Sequence, residues 1–189
     1  MKNTFLILFL LYFLTGCKEQ KLSHKETVSR YYNAFDSGDY NEIKATINDS
    51  VTMISGDYVI PYNHDSFYDF FKWDSIFKPS YKIVELDEKN NDIIVTIAQD
   101  NVRNEFLKNN PLVFKVKVSF TLEKISKLEE LEYIDVNWEV WNQEKDSLVS
   151  WIKNNHHDLD GLVEDMTKKG SKDYLKAIEL YASNKYNLQ

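Results

Sequence analysis

The sequence predicts an α+β domain followed by a helical tail. Three stretches carry that prediction. Ser23–Asp39 places Val28, Tyr31, Tyr32 and Phe35 at i, i+3, i+4 and i+7, one apolar stripe of a helix. In Leu112–Glu123, Phe114, Val116, Val118, Phe120 and Leu122 alternate with Lys115, Lys117, Ser119, Thr121 and Glu123. That alternation marks a strand with one buried and one wet face, as in an antiparallel sheet. Near the C-terminus, Leu148, Trp151 and Ile152, and later Tyr174, Ile178 and Tyr181, repeat at helical spacing. A helix as aromatic as the first needs a large apolar cover, and the strands downstream supply it.

The elements follow in order. Ser23 with Glu26 forms a capping box for the first helix, and Gly38 stops it. Asp39 with Glu42 starts a short second helix marked by Ile43 and Ile47. Val51–Ser55 and Tyr58–Tyr62 read as a hairpin about Gly56-Asp57, with Pro61 confining the second strand to an edge. Asn63–Ser66 caps a third helix carrying Phe67, Phe70 and Phe71, ending between Trp73 and Phe77. Tyr81–Leu86 and Ile93–Ala98 are strands joined at Asn90-Asn91, and Glu130–Trp138 is the strand after the long one. In the tail, Leu159, Leu162, Val163 and Met166 mark a further helix, and Gly170-Ser171 a stop and a new cap. Each apolar stripe is expected to cover the sheet or a neighbouring helix.

At 189 residues, 43% of them hydrophobic, the chain can bury one sizeable core and an addition to it. The net charge of −7 comes without a basic stripe, which argues against nucleic acid. A single cysteine, Cys17, rules out an intrachain disulfide.

Residues 1–17 read as a processing signal. Lys2 supplies a positive start, and Phe5–Leu14 is an apolar run too short to anchor across a bilayer. It ends in Leu14-Thr15-Gly16-Cys17, which resembles a bacterial lipoprotein lipobox. The resemblance implies removal of the preceding residues, diacylation (palmitate-type) of Cys17 and acylation of the new amino terminus. Several acyl chains make anchoring stable where one is marginal. Residues 18–22 then form a polar tether. Lys18 after the cysteine resembles the sorting pattern of outer-membrane lipoproteins, and Lys18-Glu19 a surface-export signal of some Bacteroidetes lipoproteins. The periplasmic and surface faces both stay open.

Val28–Phe35 running into Ser37-Gly38-Asp39-Tyr40, then Ile43, then Asp49-Ser50-Val51, is similar to the opening of NTF2-like (SnoaL-like) domains. That resemblance implies a cone over residues 23–137, a curved antiparallel sheet wrapped around the N-terminal helix with an apolar pocket inside. Residues 138–189 form a helical extension packed on it. Trp151, Leu159-Asp160-Gly161 and Tyr174–Ile178 resemble the C-terminal addition of Bacteroidetes lipoproteins with this domain. The expected pocket is lined by Tyr31, Phe35, Met53, Ser55, Phe71, Phe120 and Trp138.

The ketosteroid isomerases of this family use a first-helix tyrosine in an oxyanion hole and an aspartate as base. The resemblance aligns Tyr31 with the tyrosine and puts Ser55 at the base position, where serine needs a partner base to take a proton. His64-Asp65 stands at a helix start, where Asp65 has a capping role. His156-His157-Asp158 with Asp160 lacks a distant ligand, so no metal is expected. No phosphate loop, nucleophile elbow or H-E-x-x-H motif is present, and no cofactor is expected.

The expected function is non-catalytic binding of a small apolar ligand or a protein partner, with homodimerisation open. The first alternative is an isomerase, dehydratase or hydrolase of the SnoaL-like type, with Tyr31 and His64 as candidate catalytic residues. The second is an interaction subunit whose core is filled. A cavity with a buried ionisable group favours the enzyme.

Overall fold

The computed structural model describes residues 22–187, with side chains as far as Lys185; Cys17 and the signal and tether expected around it lie outside the described residues. Helix α1 (His24–Ser37) has the predicted capping box: Ser23 Oγ accepts from the Glu26 amide, and Glu26 accepts from the Ser23 amide. Gly38 ends the helix at φ 68°, a left-handed conformation that glycine adopts without strain. Helix α2 (Tyr40–Thr46), capped by Asp39, is shorter than expected. Ile47 opens β1 (Ile47–Ser55), with its side chain still in the core.

Next come β2 (Tyr58–Asn63), α3 (His64–Ser75), β3 (Ser80–Lys89) and β4 (Asp92–Asp100). Asn90 and Asn91 make the β3–β4 turn at φ 52° and 68°, positions where asparagine is well tolerated. A short helix α4 (Val102–Phe106) follows, capped by Asn101, and was not expected from the sequence. Strand β5 (Leu112–Thr121) pairs with β6 (Lys124–Ile134).

The sheet order is β2-β1-β6-β5-β4-β3. The neighbours are antiparallel except β1 and β6, which run parallel, so the sheet is mixed. Register shifts interrupt β5–β6 at Lys115/Val116 and Ser119/Phe120, and β3–β4 at Ile83/Glu85. Such bulges bend strands, and here the bent sheet curves around α1. The wet face of β5 is as predicted: Lys115 meets Glu132 at 2.6 Å and Lys117 meets Asp92 at 3.1 Å.

Two expectations fail at strand ends. The alternation through Leu122 and Glu123 continues in sequence, but both residues have positive φ and form the β5–β6 turn, with Leu122 exposed. Strand β6 therefore starts at Lys124 and not at Glu130. It stops at Ile134, before Asp135 at φ 55°. Asn137 then caps α5 (Trp138–Asn155), so Trp138 opens a helix instead of ending a strand.

Two apolar cores share α3. Val28, Tyr31 and Phe35 of α1, Phe67 and Phe71 of α3 and the concave face of the sheet form the first. Trp73, Phe77, Leu148, Ile152, Leu159, Leu162, Tyr174, Ala177 and Ile178 form the second. The tail is thus clamped to α3 and the residues just after it. No described helix is long and apolar enough to cross a membrane.

The expected helix over Leu159–Met166 is a 3₁₀ turn (His157–Leu159) and further turns, which drop Leu159 and Leu162 into the second core. Helix α6 (Lys168–Asn187) runs through Gly170-Ser171 without stopping. The glycine answers to close packing instead. A Cβ on Gly170 would lie 2.0 Å from the Asp165 carbonyl oxygen. Glycine inside a helix ordinarily costs up to about 1 kcal/mol relative to alanine. Here the sign reverses: Gly170→Ala should lower stability by about 2 kcal/mol, read as the shift in a urea unfolding midpoint. A gain would show that the Asp165 turn yields freely.

Candidate active site

The curved sheet and α1 enclose a cavity of about 350 Å³. Helix α1 supplies Tyr31, Tyr32 and Phe35, the stripe that its spacing forces inward. The sheet supplies Met53, Ser55, Tyr81, Gln99, Phe114, Glu130 and Tyr133, among others. Helix α3 closes one end with Phe70, Trp73 and Asp74, α4 adds Arg103, and Met166 comes from the tail.

Asp74 is the chemically distinctive residue. It is only 5% exposed. Burial lifts its carboxyl to about 6, against the opposing pull of the Tyr81 hydrogen bond and the Arg103 charge. Tyr81 donates its hydroxyl proton to Asp74 Oδ2 at 2.7 Å and accepts from Gln99 Nε2 at 2.7 Å. The Asn104 amide in turn donates to the Gln99 side-chain and main-chain oxygens, each at 3.2 Å. This chain fixes the Tyr81 hydroxyl and, through it, one oxygen of Asp74.

A second polar group lies on the strands. Glu130 Oε2 accepts from Ser55 Oγ and, at 2.8 Å, from the Tyr133 hydroxyl. Ser55 therefore does stand beside a carboxylate, the partner that serine at this position lacked in the sequence. Tyr31 is 4% exposed, and among the described residues its hydroxyl has no hydrogen-bond partner. That oxygen is not among the fully buried unpaired atoms, so it opens on the cavity. Burial first, then Tyr32 and Asp74, push its pKa well above the usual phenol value. Tyr31 is therefore a hydrogen-bond donor at any working pH.

Of the expected pocket residues, the structure brings together Tyr31, Phe35, Met53 and Ser55. Phe71, Phe120 and Trp138 stand elsewhere. Phe71 packs on the outer side of Phe35 against Tyr40, at 5.7 and 5.5 Å. Phe120 stacks on His24 at 3.9 Å. Trp138, on its helix, backs Tyr133 edge-on at 5.1 Å. His64 also misses the cavity. It begins α3 ten residues before Asp74, about 15 Å along the axis, and its Nε2 lies 4.0 Å from Asp49. His156 packs on Trp151 at 5.0 Å.

Asp74, Tyr81, Gln99, Arg103, Glu130 and Tyr133 were not singled out in the sequence. One signal existed: Asp74 falls seven residues after Phe67 and three after Phe71, on the buried stripe of α3.

No family model matches the sequence, and no curated protein matches it either. Solved structures do. A SnoaL-like polyketide cyclase from Agrobacterium tumefaciens superposes with a TM-score of 0.51 at 12% identity, over 62% of this chain and 96% of that one. A cystatin-fold protein from Novosphingobium aromaticivorans gives 0.51 at 11%, over 59% and 99%. An NTF2-like protein of unknown function from Cytophaga hutchinsonii gives 0.50 at 10%, over 61% and 94%. The fold is NTF2-like. At such identities the likeness carries the fold and leaves the chemistry to the cavity itself. In this NTF2-like cone the buried carboxylic acid comes from α3, and the strand position aligned with a base holds Ser55 against Glu130.

Asp74 also sets a pH signature. Its folded pKa of about 6 lies above the ordinary 3.8. Its contribution to stability is therefore full below about 4 and is lost as pH rises through about 6. Two units correspond to about 3 kcal/mol. Asp74→Asn keeps an oxygen for Tyr81 and removes the charge. The variant should gain on wild type in melting temperature between pH 4 and 7. A constant difference across that range would mean that Asp74 titrates as in water.

Proposed function

We propose that the protein binds a small, largely apolar carbonyl compound in its NTF2-like cavity and moves a proton on it with Asp74. The observation that carries this reading is a buried carboxyl, with pKa about 6, on the wall of a cavity. A general base works best when its pKa lies near the operating pH. As carboxylate, Asp74 takes a proton from the carbon beside the carbonyl. Tyr31, whose hydroxyl has no partner among the described residues, donates a hydrogen bond to the oxygen as negative charge develops there. Asp74 then returns the proton at another carbon, or gives it to a β-hydroxyl that leaves as water. Isomerisation and dehydration share that first step. Tyr81, held by Gln99, positions Asp74.

Binding without catalysis was the expectation from sequence, and the buried acid is what favours the enzyme over it. A filled core is disfavoured by a cavity of about 350 Å³, within the usual range for small-molecule sites.

The test is turnover of a panel of β,γ-unsaturated ketones and β-hydroxy ketones, followed by ultraviolet absorbance of the conjugated product. Asp74→Asn should lower the rate by about 10²–10⁴. Tyr31→Phe should lower it by about 10² or more while changing stability by under about 0.5 kcal/mol, since no protein partner is stranded. No turnover, or equal turnover by wild type and Asp74→Asn, would return the protein to binding alone. A loss beyond about 2 kcal/mol in Tyr31→Phe would mean that the hydroxyl is packed and not free.

We also propose that the mature chain begins at acylated Cys17 and is anchored in the cell envelope, most consistently the outer membrane. The support is the lipobox behind a short apolar run. Growth with an alkyne fatty acid should label wild type and leave Cys17→Ser unlabelled; equal labelling of both would refute the anchor.

A further inference from the structure

The cavity is lined by a cation whose guanidinium makes no hydrogen bond or close ion pair among the described residues. Arg103 projects from α4, and its guanidinium lies 5.0 Å from the centre of the Trp73 ring, 5.4 Å from Phe77 and 6.0 Å from Trp141. Its Nε is buried and has no hydrogen-bond partner. Among the described residues no carboxylate is hydrogen-bonded to it. Its charge is nevertheless felt around the site, where it opposes the rise that burial imposes on the pKa of Asp74, Tyr133 and Tyr174.

Aromatic faces stabilise a guanidinium through its flat face and leave its N–H edge unused. A cation taken from water needs a counter-charge or hydrogen-bond acceptors. The N–H edge is a planar fork whose best match is a planar, two-oxygen anion. Arg103 lines the same cavity as Asp74. On its other side lies a crevice of about 100 Å³ with Trp141 and Lys145, and Lys145 is paired with Asp146 at 3.5 Å. The large cavity is thus the space in which an anion can reach Arg103 with an apolar body attached.

We propose that the cavity selects an apolar carboxylic acid, with the ligand carboxylate seated on the Arg103 guanidinium and its body against the aromatic wall of the cone. This rests on the reading of the cavity as a small-molecule site. Arg103 is then the specificity-determining residue, and the reactive carbonyl compound carries a carboxylate elsewhere in its skeleton.

Calorimetric titration of the purified protein separates the two claims. The probes are 1-naphthoate, 1-naphthamide and 1-naphthyl phosphate, which share one body. Wild type should bind naphthoate at least tenfold tighter than naphthamide. Arg103→Gln should bring the two within about threefold of each other, and Arg103→Lys, which keeps charge without the fork, should fall between. Circular dichroism reports whether each variant folds. Should Arg103→Gln not fold, the wild-type ratio and Arg103→Lys still decide. Equal binding of naphthoate and naphthamide by wild type, or a preference that survives Arg103→Gln, overturns the carboxylate site and leaves the cavity reading standing. Tighter binding of naphthyl phosphate than of naphthoate overturns the choice of carboxylate. Binding of none of the three overturns both readings.

Discussion

The aromatic stripe of α1 is the constraint on which the rest depends. Val28, Tyr31, Tyr32 and Phe35 fall on one side of a helix and cannot stay in water without a large cost in apolar exposure. A flat sheet would cover one line of them. The β3–β4 and β5–β6 register shifts bend the sheet, and its concave face then reaches around the stripe. A cylinder inside a wider curved sheet does not fill it. The unfilled part is the cavity, and the tyrosine hydroxyls that could not be packed dry open on it.

Helix α3 turns that space into a site. Its Phe67 and Phe71 belong to the first core, and Trp73, with Phe77 beyond the helix, to the second. The polar side chains Asp65, Asp69 and Ser75 keep to the remaining, exposed face of the helix. Asp74 lies at that junction, buried and hydrogen-bonded among the described residues by Tyr81. Burial therefore dominates its titration. The tail completes the arrangement: Trp141 comes from α5 and packs over Arg103, and Met166 closes part of the cavity wall. The C-terminal helices are thus linked to the site as well as to the core.

Local chemistry explains what was legible in the chain. The Ser23–Glu26 box, the Gly38 stop, the Asn63 cap and the Asn90-Asn91 turn depend on contacts within a few residues, and all stand as read. The alternation of β5 survives because a sheet with one wet face imposes it. Leu122-Glu123 misled because neither residue is a turn former; the pairing of β5 with β6 makes the turn. Gly170 misled for the converse reason, a glycine that signals a stop in isolation but here answers to Asp165 passing close by.

The sequence by itself determined the α+β class and the inward stripe of α1, because helical and strand periodicity decide which way side chains point; the pocket and the place of Ser55 were expected only from the resemblance to NTF2-like domains. It also carries Leu14-Thr15-Gly16-Cys17, whose resemblance to a lipobox depends on no fold. Tertiary structure alone decided the acid and its surroundings. Asp74, Tyr81, Gln99 and Arg103 come from α3, β3, β4 and α4, are separated by up to 29 positions, and share no motif. A carboxyl's pKa and the partners open to an arginine are properties of what surrounds them after folding. Burial and neighbours exist only once the sheet has closed around the helix.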